Sequence, residues 1–205
     1  MHALIVVAHP GPGSLSHAIA AQIAAGVARP GSGDTAEIAD LAAEGFDPRF
    51  TPVDLAVHLR QARPDADVVA EQARIDGADA LVLVYPVYWW SMPALLKGWV
   101  DRVFSNGWAY AEGADARLTK KLGRLRVHLV GLAGAGAGTY ARHGYTGAMK
   151  TQIEHGIFDY CGACVVSSRL LFDAHARDAA PHLEAARAIG RDLFDAARRC
   201  EATAA

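Results

Sequence analysis

The chain has 205 residues, 52% of them hydrophobic, with 20 Lys and Arg against 22 Asp and Glu for a formal net charge of −2. That balance excludes the basic footprint of a nucleic-acid-binding protein. The opening apolar run, residues 3–8, has no basic leader and falls far short of the about 20 residues of a membrane span. Cys161, Cys164 and Cys200 are too few and too clustered for a disulfide framework, so a soluble protein of a reducing cytoplasm is expected.

Residues 3–8 have the pattern of a strand buried on both faces of a parallel sheet. His9-Pro10-Gly11-Pro12-Gly13 forces a loop, and Ser14 and Ser16 are candidate N-caps for an Ala-rich helix from about 17 to 28. His9, Ser14, Ser16, His17 and Ala18 therefore surround a helix N-terminus, a place that suits a phosphate. A capped helix without a ligand fits the same residues equally well. Residues 35–41 read as a second strand. Between residues 42 and 66 only a short helix over 53–60 is legible, and connections of that length tend to be functional or to cover a site. A helix over 66–75 leads into a third strand at 80–85.

That strand breaks at Pro86 into a loop with Val87, Tyr88, Trp89 and Trp90. Aromatics delivered at the carboxyl end of a strand stand where an open α/β sheet places a flat ligand. Two adjacent tryptophans are unsuited to sharing one core, which favours that reading over simple core anchoring. Leu95, Leu96, Trp99, Val100, Val103 and Phe104 then mark the apolar face of a helix, with Lys97 and Asp101 four apart on its exposed side. Ser105-Asn106-Gly107 ends it, leaving Trp108 and Tyr110 in a loop, and residues 119–126 read as basic and exposed.

The fourth strand, 127–132, runs into Ala133-Gly134-Ala135-Gly136-Ala137-Gly138-Thr139-Tyr140. Gly136, Gly138 and Ala141 mimic a dinucleotide fingerprint, but that motif belongs after the first strand of such a fold. The run reads as a loop whose bare backbone approaches a flat ligand, with Arg142-His143-Gly144 interrupting any helix before Met149. A helix over 147–158, a fifth strand over 165–171 and an amphipathic helix over 179–199 complete the chain. The expected architecture is one α/β domain over residues 1–205, a five-stranded doubly wound parallel sheet with helices on both faces. The loops after strands one, three and four meet at the carboxyl edge and together suit a flavin, phosphate at the first and ring between the other two. The nine histidines show no ligand spacing on a shared face, so no metal site is expected. Cys161-Gly-Ala-Cys164 has redox spacing but leads into a strand, which favours a packed Cys161 in strand structure over a dithiol.

Several blocks carry a family resemblance: Ala8-His9-Pro10 with Ser14, Ser16 and Ala18; Val69-Ala70-Glu71-Gln72; the run from Pro86 to Trp99; Asp101-Arg102-Val103-Phe104 with Gly107-Trp108-Ala109-Tyr110; and Tyr160-Cys161-Gly162. Over about residues 2–200 the sequence resembles the flavodoxin-like NAD(P)H:quinone oxidoreductases, the group of DT-diaphorase and of bacterial quinone reductases associated with potassium-efflux systems. The resemblance implies a flavodoxin-like cytoplasmic homodimer whose tightly bound flavin takes hydride from NADH or NADPH and passes it to a quinone or related electrophile, ping-pong, two electrons at a time. It assigns His9, Ser16, His17 and Ala18 to the flavin's phosphate and ribityl part. Pro86, Val87, Trp89 and Trp90 hold the ring, partly through backbone N–H groups, and Leu132, Gly134 and Tyr140 form the third flavin loop. Trp90, Tyr110 and Tyr160 line the nicotinamide and quinone pocket, often across a dimer interface. Tyr140 stands at the family's catalytic Tyr position, whereas Thr146 takes the place of its relay His, leaving His143 as the neighbouring substitute. An adenine-holding Arg has only Arg177 or His182 as approximate counterparts, which leaves FAD and FMN open, and the long 42–66 segment favours FAD. A flavoprotein subunit docked on a membrane transporter is the alternative that the resemblance allows. A one-electron flavodoxin carrier would need a strongly acidic rim, which a net charge of −2 does not supply.

Overall fold

A computed structural model describes residues 1–112, 117–174 and 178–195. Five parallel strands, β1 (His2–Val7), β2 (Thr35–Asp40), β3 (Ala80–Pro86), β6 (Arg126–Leu132) and β7 (Cys164–Leu171), form one sheet in the order β2-β1-β3-β6-β7. A small antiparallel pair, β4 (Tyr110–Glu112) and β5 (Leu118–Lys120), stands apart from it. The five expected strands are all present, displaced by a residue at most. Their legibility follows from burial: Leu4 to Val7 and Ala80 to Val84 are each fully buried, so every position is apolar.

Helices cover both faces. On one, α1 (Leu15–Val27) and α7 (Ala180–Arg191) pack Ile19, Ile23 and Ala186 onto Ala3, Ile5, Val82 and Val130. These two helices cross closely at glycines, since a Cβ on Gly26 would lie 2.4 Å from the Arg187 carbonyl oxygen. On the other face lie α3 (Ala66–Asp76), α4 (Ala94–Val103) and a π-helical segment (Lys150–Asp159), with Trp99 and Phe158 at the centre. Among the described residues no helix is long and apolar enough to cross a membrane.

Several expectations need correction. The 133–144 run is not all loop: α5 (Ala137–His143) forms within it, and α6 (Tyr145–Met149) follows directly into the π-helical segment. Gly144, at φ +71, takes the left-handed turn that lets one helix stop and the next begin. Leu122 and Leu125 are buried, so 119–126 is not an exposed basic stretch throughout. Trp108 packs on Phe104, ring centroids 5.8 Å apart, and belongs to the edge of the core. Cys161 is buried as expected but sits at the end of the helical segment, before the strand begins at Cys164. It is a free thiol, so Cys161 and Cys164 are not joined to each other. The terminal helix is described from Ala180 to Arg191, and its expected continuation to 199 passes outside the described residues.

The 42–66 segment is anchored by charge. α2 (Pro52–His58) starts at a capping box, Thr51 with Asp54. The buried Arg102 of α4 binds Asp54 at 3.1 Å, Asp67 at 2.6 Å and the Asp47 carbonyl at 2.9 Å. Its guanidinium also lies 5.3 Å from the centroid of Phe46. Gly98 lets this segment approach α4, because a Cβ there would fall 2.1 Å from the Pro48 carbonyl oxygen.

Candidate active site

The carboxyl ends of β1 and β3 lie side by side at the point where the strand order reverses, the ligand position in a doubly wound sheet. At the end of β1, Ser14 caps α1 by accepting the His17 N–H at 3.4 Å. Its hydroxyl also lies 2.7 Å from His17 Nδ1, and His17 Nε2 lies 2.8 Å from Asp40 Oδ2 at the end of β2. His17 is therefore tied on both sides. Desolvation is the largest influence on Asp40 and would raise its pKa, but the Ala43 N–H and His17 together outweigh it and hold the carboxyl below its usual range. His9 accepts the Gly11 N–H at 3.0 Å and faces His17 edge-on at 6.2 Å. Ser16 is buried. Ala18 donates its N–H to the Ser14 carbonyl at 3.2 Å.

At the end of β3 the backbone makes an uncommon turn. Tyr88 and Ser91 exchange N–H···O bonds of 3.1 and 3.0 Å, and the two residues between them, Trp89 and Trp90, have φ of +51 and +60. A two-residue turn with both central residues left-handed is the type I′ hairpin turn, for which Asn-Gly is the usual sequence. Two tryptophans in that geometry each bear a steric cost of about 1–2 kcal/mol. Such strain persists where the surroundings enforce it, most often at functional sites. Trp90 is fixed by a parallel stack on Tyr145 at 3.7 Å, with Tyr140 edge-on at 5.4 Å. Trp89 is 92% exposed. The pair thus divides its tasks, one ring locked into the chain and the other presented outward.

The third loop closes the cradle. Val87 donates its N–H to Leu132 at 2.9 Å, and its side chain lies over Gly131, where a Cβ would come within 3.1 Å of it. Val87, Trp89, Trp90, Gly134, Ala135 and Tyr140 line a cavity of about 160 Å³. The expected ring-binding N–H groups are narrowed by this geometry. Pro86 has none, the Val87 and Tyr88 donors are used within the protein, and of residues 86–90 those of Trp89 and Trp90 are left without an acceptor among the described residues. Paired N–H groups at a flat, partly apolar cradle fit the carbonyl edge of a flavin ring.

Tyr140 is buried, which pushes its hydroxyl pKa up. His143 stacks on Tyr145 at 5.3 Å, on the outer side of the Trp90 stack, and no hydrogen bond joins it to Tyr140 among the described residues. Thr146 faces a different cavity, between the π-helical segment and β7. Tyr145 itself escaped sequence reading. Its only signal was an aromatic residue just after a glycine able to end one helix and start another.

Tyr110 and Tyr160 are brought together, rings edge-on at 5.3 Å, but not beside Trp90. They line a separate cavity of about 500 Å³ between α2, the end of α4 and the π-helical segment, with Phe50, His58 and Ile157. His58 Nδ1 lies 3.1 Å from the Tyr110 hydroxyl. Desolvation, with the neighbouring Tyr160, raises the Tyr110 pKa. This cleft and the Trp89–Trp90 cradle share no lining residue. Of the approximate adenine-side counterparts, His182 is half-buried on α7 and Arg177 lies outside the described residues.

Comparison with known proteins identifies the family of the fold. The pattern of the family described as "Flavodoxin-like fold" matches residues 1–192. The chain is 29% identical over 191 residues to the ribosyldihydronicotinamide dehydrogenase (quinone) of Pongo abelii, covering 82% of this chain and 80% of that protein. It is 31% identical over 202 residues to the ribosyldihydronicotinamide dehydrogenase-like protein traD of Penicillium crustosum, covering 85% and 74%. The structure of an NAD(P)H:quinone oxidoreductase from Methanothermobacter marburgensis superimposes with a TM-score of 0.84 at 27% identity, covering 94% of this chain and 98% of that one. The chain therefore belongs to the flavodoxin-like fold family, where its relatives are quinone-dependent nicotinamide dehydrogenases.

Proposed function

We propose that the chain is a flavin-dependent NAD(P)H:quinone oxidoreductase acting as a cytoplasmic homodimer. The observation that carries this reading is the Tyr88–Ser91 turn, two left-handed tryptophans with free N–H groups set over a glycine loop at the switch point of the sheet. A flavin bound there would take hydride from NADH or NADPH and deliver it to a quinone in a second half-reaction. The 42–66 segment favours FAD, with FMN the alternative.

The roles of the chain's own groups follow from their surroundings. The start of α1, with His9, Ser14, Ser16, His17 and Ala18, receives the phosphate and ribityl part. Trp90 is a wall held in place by Tyr145, and the Trp89 and Trp90 N–H groups offer two donors to the ring. Pro86, Val87, Tyr88, Leu132 and Gly134 shape the floor. Tyr140 stays protonated at neutral pH and can donate a hydrogen bond to charge developing on the ring or substrate. His143, exposed beyond Tyr145, is the neighbouring residue for the relay position. Tyr110 and Tyr160 serve the acceptor pocket of a second copy, whose surface would also cover Trp89.

The test is flavin release and identification from the purified protein, followed by anaerobic reduction. Bleaching of the yellow colour by NADH or NADPH and its return on adding a quinone are expected. A colourless protein that binds neither FAD nor FMN contradicts the proposal.

A further inference from the structure

The 500 Å³ cleft does not end at Tyr110. A second cavity of about 350 Å³ continues it, and Val57, Pro64 and Ser105 line both. Tyr110 and Tyr160 stand at one end of the combined cleft, and Arg60, Arg63 and Trp108 at the other. Arg60 holds a left-handed backbone, φ +60, that a side-chain-bearing residue seldom adopts. Among the described residues neither guanidinium has a carboxylate partner. The neighbouring acids are committed elsewhere: Asp54, Asp65 and Asp67 to Arg102, and Asp76 to Arg124 and Trp108. The Lys121 ammonium, bound to the Gly107 carbonyl at the cavity wall, adds a third positive charge.

Asn106 lines the arginine end of the cleft. Its Nδ2 donates to the His58 carbonyl at 2.9 Å, which fixes the amide, and its Oδ1 is buried without a donor. A buried acceptor left open can take an O–H or N–H from water or from a bound molecule. The cleft therefore offers an aromatic mouth, an acceptor for a hydroxyl group, and cations with no carboxylate partner among the described residues. Two solvated surface arginines would explain the charge alone. They would not explain the open acceptor or the left-handed Arg60 beside it. Rings, hydroxyls and phosphates joined in one molecule are the chemistry of a nucleotide.

We propose that Arg60 and Arg63 bind the phosphates of the nicotinamide dinucleotide, making them donor-specificity residues for the flavin site of the second copy. This rests on the quinone oxidoreductase reading and deepens it. The names of the related proteins divide along the same line, one for NAD(P)H and another for ribosyldihydronicotinamide, which carries no phosphate.

Steady-state kinetics with NADPH, NADH and ribosyldihydronicotinamide at a fixed quinone concentration test it. The R60Q/R63Q variant alters only exposed side chains, and its flavin content and unfolding midpoint should match the parent. Its KM for both dinucleotides should rise roughly tenfold or more, the effect of losing a charge-assisted hydrogen bond, with kcat little changed. For ribosyldihydronicotinamide kcat/KM should stay within about twofold. R60K/R63K should recover most of the loss, and adenosine 2′,5′-bisphosphate should bind the parent and not the Gln variant by calorimetry. Equal losses with all three donors, or none, overturn the proposal. Parent protein that uses ribosyldihydronicotinamide but neither dinucleotide overturns the phosphate site while leaving the quinone reductase reading intact. Failure of every donor to reduce the bound flavin overturns both.

Discussion

Two aromatic assemblies divide this molecule. In the cradle at the end of β3, Trp89, Trp90, Tyr140 and Tyr145 are arranged by a strained two-residue turn and by glycines that let the next loop come close. In the cleft, Tyr110 and Tyr160 rest on relaxed backbone between a short helix and a π-helical segment, held from behind by the Arg102 charge cluster. The cradle has unpaired backbone donors and an exposed Trp; the cleft has unpaired side-chain cations and an open acceptor. On the proposed function each is half of a site. Donors without a ring acceptor belong where a cofactor sits, and cations without carboxylates belong where an anionic substrate arrives.

The largest expected effect isolates the cleft. Replacing Arg102 by Ala leaves Asp54 buried with its charge uncompensated, a loss of about 3–5 kcal/mol. Urea unfolding of R102A should show it, together with earlier proteolysis in 42–66 than in the strands. A variant that unfolds as the parent does would mean that the charge cluster does not hold the cleft.

A comparable effect should reach both halves at once. His128, in the middle of β6, contacts Ser167 through Nδ1 at 2.8 Å while its Nε2 is buried without a partner. Burial pushes its pKa down to about 4. Because the folded value is the lower one, its stability contribution is complete above the unfolded pKa of about 6.5 and is lost as pH falls toward 4. The loss amounts to about 3 kcal/mol. Unfolding free energy measured from pH 7.5 to 4 should fall by that order in the parent, with a flatter profile in H128L. Parallel profiles would assign acid lability elsewhere.

Smaller changes should separate the cradle's two tryptophans. Trp90→Ala removes the stack on Tyr145, and flavin affinity should drop roughly tenfold or more, equivalent to about 1.4 kcal/mol or greater, with the fold retained. Trp89→Gly should stabilise the flavin-free protein by about 1 kcal/mol by relieving the left-handed strain, while catalytic turnover falls. If both substitutions act alike on stability and flavin binding, the division between the locked ring and the presented ring is wrong.

The sheet could be read from sequence because strands such as Leu4–Val7 are apolar at every position, a pattern that burial on both faces imposes. The start of α1 was equally legible from Ser14 and the prolines and glycines before it. What sequence could not show depends on distant or unusual geometry. A Trp-Trp pair carries no hint of a turn normally written Asn-Gly, so the strain at residues 89 and 90 was invisible. Tyr145 was hidden because the glycine-rich stretch looked incapable of helix, although Gly144 only redirects one. The pairing of Arg102 with Asp54 and Asp67 spans 48 and 35 residues, and no local period reveals it. Tyr110 and Tyr160 were expected in one pocket with Trp90; the fold joins the two tyrosines and sets the tryptophan in another cavity.

That separation makes subunit complementation the most direct measurement. A cradle variant, W90A, stripped of its weakened flavin and assayed without added flavin, and a cleft variant, Y110A/Y160A, should each be nearly inactive in quinone reduction. Mixed under conditions that allow subunit exchange, they should regain about a quarter of the parent activity, because half of the statistically formed twofold dimers carry one intact site. No recovery, with exchange verified by mass spectrometry, would contradict a site built from the cradle of one copy and the cleft of another.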